Sequence, residues 1–199
     1  MFTTDELTAE YINSLPQLSF TGRIQVISQF ADLDNILKEL MLLSAVGFDT
    51  ESRPSFTKGQ SYPISLLQIA TSRNVYIIQI QKTGFTDSLN AFLASNTEKI
   101  GVGLKDDVRK LKDERDFTPN AIVDLSEIAR SKGYKKSSLR ALSACFLKKR
   151  IVKSSQKTNW AREHLTDKQL RYAATDAWAC LLIRPFLDEA PNIDIPDLT

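Results

Sequence analysis

A single histidine, His164, is all the imidazole carried by 199 residues. No site that needs several imidazole ligands can be built from it, and the residue is expected on the surface or in a loop. Cysteine is almost as scarce. Cys145 and Cys180 are far apart, each has apolar neighbours, and no CxxC pair exists. A thiolate zinc site is therefore excluded, and two buried free thiols in a reducing, cytoplasmic compartment are the expectation. A glycine-rich phosphate loop is missing too, since "GVG" at 101–103 lacks the rest of a GxGxxG spacing. No uninterrupted apolar stretch approaches the roughly 18 residues of a membrane span. The stretch "MFTTDELTAEYINSL" has neither the basic start nor the apolar run of a secretory signal. Charge is nearly balanced, 26 Lys and Arg against 24 Asp and Glu, a net +2 that fits nucleic-acid binding and many cytosolic enzymes alike. What is present, 42% hydrophobic and 25% charged residues, is the composition of an ordinary globular chain. Its length fits one domain, 1–199, with a core from about residue 22 to 188.

Periodicity divides the chain into strands first and helices later. "GRIQVIS" (22–28) reads as a strand, and "ADLDNILKELML" (31–42) as an amphipathic helix with Leu33, Ile36, Leu37, Leu40 and Leu43 at helical spacing. "AVGFDTES" (45–52) reads as a buried strand, and the Pro- and Gly-bearing "RPSFTKGQSYP" after it as a loop. "ISLLQIAT" and "NVYIIQI" form a hairpin around "SRN". A helix over "DSLNAFLAS", a short strand over "KIGVG" and a helix over "KDDVRKLKDE" follow. "AIVDLSEIARSKG" gives a short strand or extended entry and a helix, and "SLRALSACFL" another helix. "KKRIVKSSQKTNW" is a polar, basic loop, and "TDKQLRYAATDAWACLLIRPFL" a long closing helix capped by Thr166. The remaining "EAPNIDIPDLT" trails off without a periodic pattern. The order implies a mixed α/β domain with a central sheet.

Three patches of acid interrupt this pattern. Asp49 and Glu51 are one residue apart in a strand, so their side chains share a face, while Val46, Phe48 and Thr50 point the other way, toward the core. Two adjacent carboxylates repel and resist desolvation, so a cation is expected between them. In "GVGLKDDVRKL", Leu104, Val108 and Leu111 mark an apolar helical stripe; Asp107 lies on or beside it and Asp106 is turned about 100° away. In "RYAATDAW", Tyr172 and Asp176 are spaced i, i+4 on a face continued by Ala179 and Ile183. Leu170, Ala173, Ala177 and Leu181 form a separate apolar face.

Taken together, "FDTE", "GVGLKDDVRKL" and "YAATDAW" resemble the three exonuclease motifs of the DEDD superfamily. The Tyr-x-x-x-Asp spacing matches its DEDDy branch, to which ribonuclease D and the Werner-type exonuclease domains belong. "FDTESRPSFTKGQSYPISLLQIAT" and "NW" followed by "LTDKQLRYAATDAW" resemble the Werner-type subgroup, and the resemblance runs over about residues 22–188. It implies a ribonuclease H-like α/β fold with a mixed five-stranded sheet flanked by helices. It also implies a metal-dependent 3′→5′ exonuclease that releases nucleoside 5′-monophosphates with two divalent cations, Mg²⁺ or Mn²⁺. The four metal-binding carboxylates are then Asp49, Glu51, Asp107 and Asp176, with Tyr172 as the catalytic tyrosine. Ser52 stands where Werner-type domains often carry tryptophan.

The substrate implied is nucleic acid with a single-stranded or recessed 3′ end, DNA favoured, with an exoribonuclease or a non-catalytic binding module as alternatives. A protein partner is unknown and no membrane is involved. Arg53, Lys58, Lys153, Lys157 and Arg162 are candidate phosphate contacts. Phe56 and Trp160 are candidates to stack on a terminal base. Gln68 and Gln79 fall in strands whose facing the sequence leaves open.

Overall fold

Seven consecutive residues, Ile64–Ala70, are buried on both sides of the strand they form. This strand, β3, lies near the middle of a sheet. The computed structural model describes residues 7–57, 59–153 and 155–193. Its elements run α1 (Ala9–Ser14), β1 (Arg23–Ile27), α2 (Phe30–Leu40), β2 (Ala45–Ser52), β3, β4 (Asn74–Gln79), α3 (Ile80–Thr83), α4 (Asp87–Leu93) and β5 (Glu98–Gly101). There follow α5 (Leu104–Glu114), β6 (Ile122–Asp124), α6 (Leu125–Ser131), α7 (Leu139–Leu142), a π-helical turn over Ser143–Leu147, and α8 (Asp167–Glu189).

Among the described residues the sheet has six strands, in the order β1-β4-β3-β2-β5-β6. β3 runs antiparallel to both neighbours, and the other pairings are parallel. Five strands were expected. The sixth, β6, is three residues long and pairs Ile122 with Lys99, Val123 with Ile100 and Asp124 with Gly101. Too short to show a period of two, it reads in sequence as either a short strand or an extended entry to α6, and the structure makes it a strand. Three other expectations shift. Helix α2 ends at Leu40, leaving Leu43 outside it and partly exposed. The helix expected over 138–147 is one α-turn followed by the π turn. The short α1 and α3 carry no pattern long enough to be read beforehand. Of the trailing segment, Ile193 donates its N–H to Lys132 O at 2.7 Å, and 194–199 lie outside the described residues.

Alternation along the strands splits the core. Val46 and Phe48 of β2 join Leu67 and Ile69 of β3 against Leu33, Leu37, Phe92, Leu104 and Leu111. On the other face Leu66, Ala70 and Ile77 meet Ala173, Ala174 and Ala177 of α8. The turn of α8 facing elsewhere puts Ala179 and Ile183 against Ile100 and Leu125. Helix α8 is thus apolar on both sides, and Thr166 and Gln169 close a capping box at its start. Gly47 lets it press on β2: a Cβ there would sit 2.1 Å from Ala177 O. That close approach sets α8 beside the acidic end of β2. No helix among the described residues is long and apolar enough to cross a membrane.

Candidate active site

Period two along β2 turns Asp49 and Glu51 toward α8, and the pairing with β3 shifts register between Glu51 and Ser52. Thr50, facing the opposite way, donates its hydroxyl to Asp107 Oδ1 at 2.6 Å and so ties α5 to β2. Its N–H donates to Asp49 Oδ1 at 3.0 Å. Helix α5 starts after Gly103, whose φ of 76° is left-handed and suits glycine. Asp124 accepts the N–H groups of Gly103 and Leu104 at 3.0 and 2.9 Å, fixing that start and with it the first turn that carries Asp107. Asp106 points away, 79% exposed and ion-paired to Arg109 at 3.2 Å.

Helix α8 supplies Tyr172 and Asp176 one turn apart. They line a cavity of about 200 Å³ with Asp49, Glu51, Gln156 and Leu139. Asp107 does not line this cavity, but it is held to β2 through Thr50 and its charge is felt by Asp49 and Glu51. Tyr172 stacks at a tilt of 35° on Trp160, ring centres 5.8 Å apart.

The electrostatics are those of acids without enough counter-charge. Burial, then the charges of Asp176 and Asp107, push Asp49 well above the ordinary carboxylate range. Burial and then Asp49, Asp176 and Asp107 raise Glu51 to about 10, against Lys110. Burial raises Asp107 to about 6, opposed by the Thr50 hydroxyl and Lys110. Burial likewise raises Asp176 to about 7, opposed by the neighbouring Tyr172 hydroxyl and by Lys153. The Tyr172 phenol is driven far above its usual value by burial and then by Asp176 and Glu51. Asp176 Oδ1 is buried with no hydrogen-bond partner among the described residues.

Among the described residues no three acids, imidazoles or thiols are drawn together tightly enough to form a closed cation cage as they stand. The donor set still fits hard divalent cations: it is all oxygen, mutually repulsive, and includes a buried carboxylate oxygen that lacks a donor.

Residues 24–190 match the 3′-5′ exonuclease family profile. The chain is a member of the 3′-5′ exonuclease family. The exonuclease is 29% identical over 196 residues to a 3′-5′ exonuclease of Arabidopsis thaliana, covering 90% of this chain and 68% of that one. It is 31% identical over 182 residues to the bifunctional 3′-5′ exonuclease/ATP-dependent helicase WRN of Mus musculus, covering 86% of this chain but 13% of the relative. The Nibbler EXO domain of Aedes aegypti superposes with a TM-score of 0.71 at 26% identity, over 84% of this chain and 88% of that one. The fold is ribonuclease H-like α/β, and the chain is an enzyme acting on nucleic acid.

The exonuclease places the remaining sequence candidates unequally. Arg53, Phe56 and Lys157 surround one open hollow of about 310 Å³ with Tyr62, over whose ring the Arg53 guanidinium lies at 5.0 Å. Phe56 is 84% exposed there. Trp160 needs correction. It is 1% exposed and packed with Leu66, Ile77 and Ala173, so it supports Tyr172 from beneath and offers no face to a base. Arg162 lines a different hollow with Gln79 and Lys82. Lys153 is exposed, and its charge reaches Asp176. Lys58 lies outside the described residues. Both cysteines are buried, and His164 is exposed.

Sequence reasoning missed Lys110, Asp124, Gln156 and Tyr62. Lys110 alone had a signal, standing three residues after Asp107 on the same helix and donating to Ser52 Oγ at 3.3 Å.

Proposed function

We propose that this exonuclease degrades nucleic acid, DNA foremost, from a single-stranded or recessed 3′ end to nucleoside 5′-monophosphates. The proposed cofactors are two divalent cations, Mg²⁺ or Mn²⁺, held by Asp49, Glu51, Asp107 and Asp176. The observation that supports the reading is one cavity lined by Asp49 and Glu51 of β2 with Asp176 and Tyr172 of α8, where the charge of Asp107 is also felt. When bound, such cations acidify water and offset the charge that builds on the phosphate.

The chain's own residues do the rest. A phenol held above its usual pKa keeps its proton at neutral pH, so Tyr172 orients the attacking water by a hydrogen bond and does not act as its base. Trp160 fixes the plane of that ring. Arg53 and Lys157 hold backbone phosphates, and Phe56 with Tyr62 offers aromatic faces to unpaired bases. The preference for DNA follows the likeness to Werner-type domains in the first- and third-motif stretches. Two buried cysteines with no CxxC spacing support a reducing, cytoplasmic compartment.

The test uses 5′-labelled single-stranded, recessed and duplex substrates of matched DNA and RNA, each with Mg²⁺, Mn²⁺ or chelator. A ladder shortened from the 3′ end only with cation is expected, faster on DNA. Equal or faster RNA digestion would reassign the substrate, and internal cuts would overturn the reading. Asp49→Ala protein controls for contaminating nuclease.

A further inference from the structure

One buried polar side chain beside the acids is unsatisfied. Gln68 lies in β3, is 0% exposed, and neither its amide nitrogen nor its amide oxygen has a hydrogen-bond partner among the described residues. A carboxamide buried without partners is destabilising, and a methionine or leucine of similar volume would be the better core residue. Its flanking same-face residues, Leu66 and Ala70, belong to the apolar cluster under α8. What distinguishes Gln68 is its cross-strand neighbour. In the antiparallel β2–β3 register it stands directly opposite Asp49. Directly paired residues share a face with Cβ atoms about 5 Å apart, within reach of a glutamine's two methylenes and amide. Its other cross-strand neighbour is Ile77, which offers no polar atom. Asp49 takes the Thr50 N–H on Oδ1. Asp49 is thus the acceptor that the register places opposite the Gln68 N–H groups.

We propose that Gln68 is a positioning residue for Asp49. In the cation-loaded enzyme its carboxamide N–H donates to the Asp49 carboxylate and fixes which oxygen faces the cavity. Outer hydrogen bonds of this kind orient ligating carboxylates. The inference rests on the proposed cation-dependent reading and adds a residue to it.

Gln68→Met and Gln68→Leu protein is compared with wild type by melting without cations, Mn²⁺ titration followed by thermal shift, and single-strand digestion. The expected result is unchanged or higher ion-free melting, a Mn²⁺ midpoint or kcat worse by about 10–100-fold, and KM for the strand within about twofold. A midpoint and kcat both within about twofold of wild type would overturn the proposal. Should both variants fail to fold, the wild-type protein decides. Its Gln68 side-chain ¹⁵N–¹H signals are expected to shift on Mg²⁺ addition, but not in Asp49→Asn protein. Signals that stay put in wild type would overturn the assignment. Asp49→Asn protein that still digested strands would instead sink the underlying reading, which separates the two failures.

Discussion

Tyr172 and Trp160 form one unit at the scale of residues. A buried indole lies under a phenol whose proton is held in place by burial and then by its acidic neighbours. If the phenol orients water, Tyr172→Phe lowers kcat by about 100-fold while the thermal shift produced by Mn²⁺ is unchanged. A wild-type rate would remove the role. Trp160→Ala is expected to cost about 3–5 kcal/mol of stability, read by denaturant unfolding, because it empties a packed core position. A base-stacking tryptophan would have left stability untouched. The facing of Trp160 was not legible in "KTNW", because a loop has no period from which to read inside and outside. Asp49 and Glu51 were legible because a strand alternates, and Asp107 was separable from Asp106 because a helix turns by about 100° per residue.

Elements bring those residues together, and the joints between them are what sequence conceals. Asp124 is one such joint. Burial opposes its charge, but hydrogen bonds from the Ser126 hydroxyl and the N–H groups of Gly103, Ser126 and Leu104 outweigh it and hold its pKa below the ordinary value. It therefore caps α5 and α6 together as an anion. Asp124→Ala is expected to lower stability by about 2 kcal/mol and to cut turnover about tenfold or more as Asp107 drifts. Stability loss without loss of turnover would show that Asp107 does not depend on this cap. In sequence Asp124 reads only as an acid before a helix, since its partners at the start of α5 lie 21 and 20 residues away. The sixth strand was left open between strand and extended entry for a related reason: its three residues are fixed by pairing with β5 and not by a pattern of their own. The long closing helix, with its two apolar faces and Thr166 cap, was plain because 23 residues give the period room to show.

The whole molecule holds acids that its fold alone does not stabilise in charged form. Asp107 and Asp176 gain protons near 6 and 7 in the ion-free protein, whereas unfolded carboxyls titrate near about 4. A folded pKa above the unfolded one gives stability that is full below about pH 4 and lost as pH rises through the folded value. The ion-free protein is therefore expected to melt at a lower temperature at about pH 8 than at about pH 5. Mg²⁺ or Mn²⁺ should raise melting most at the higher pH, and Asp49→Asn should raise ion-free melting while abolishing digestion. A flat melting profile would mean that the acids are satisfied by something else. The most direct test of the central claim is anomalous diffraction from crystals soaked in Mn²⁺. Two peaks are predicted among Asp49, Glu51, Asp107 and Asp176, within about 2 Å of carboxylate oxygens. Crystals with Mn²⁺ bound elsewhere and none among these four side chains would contradict it.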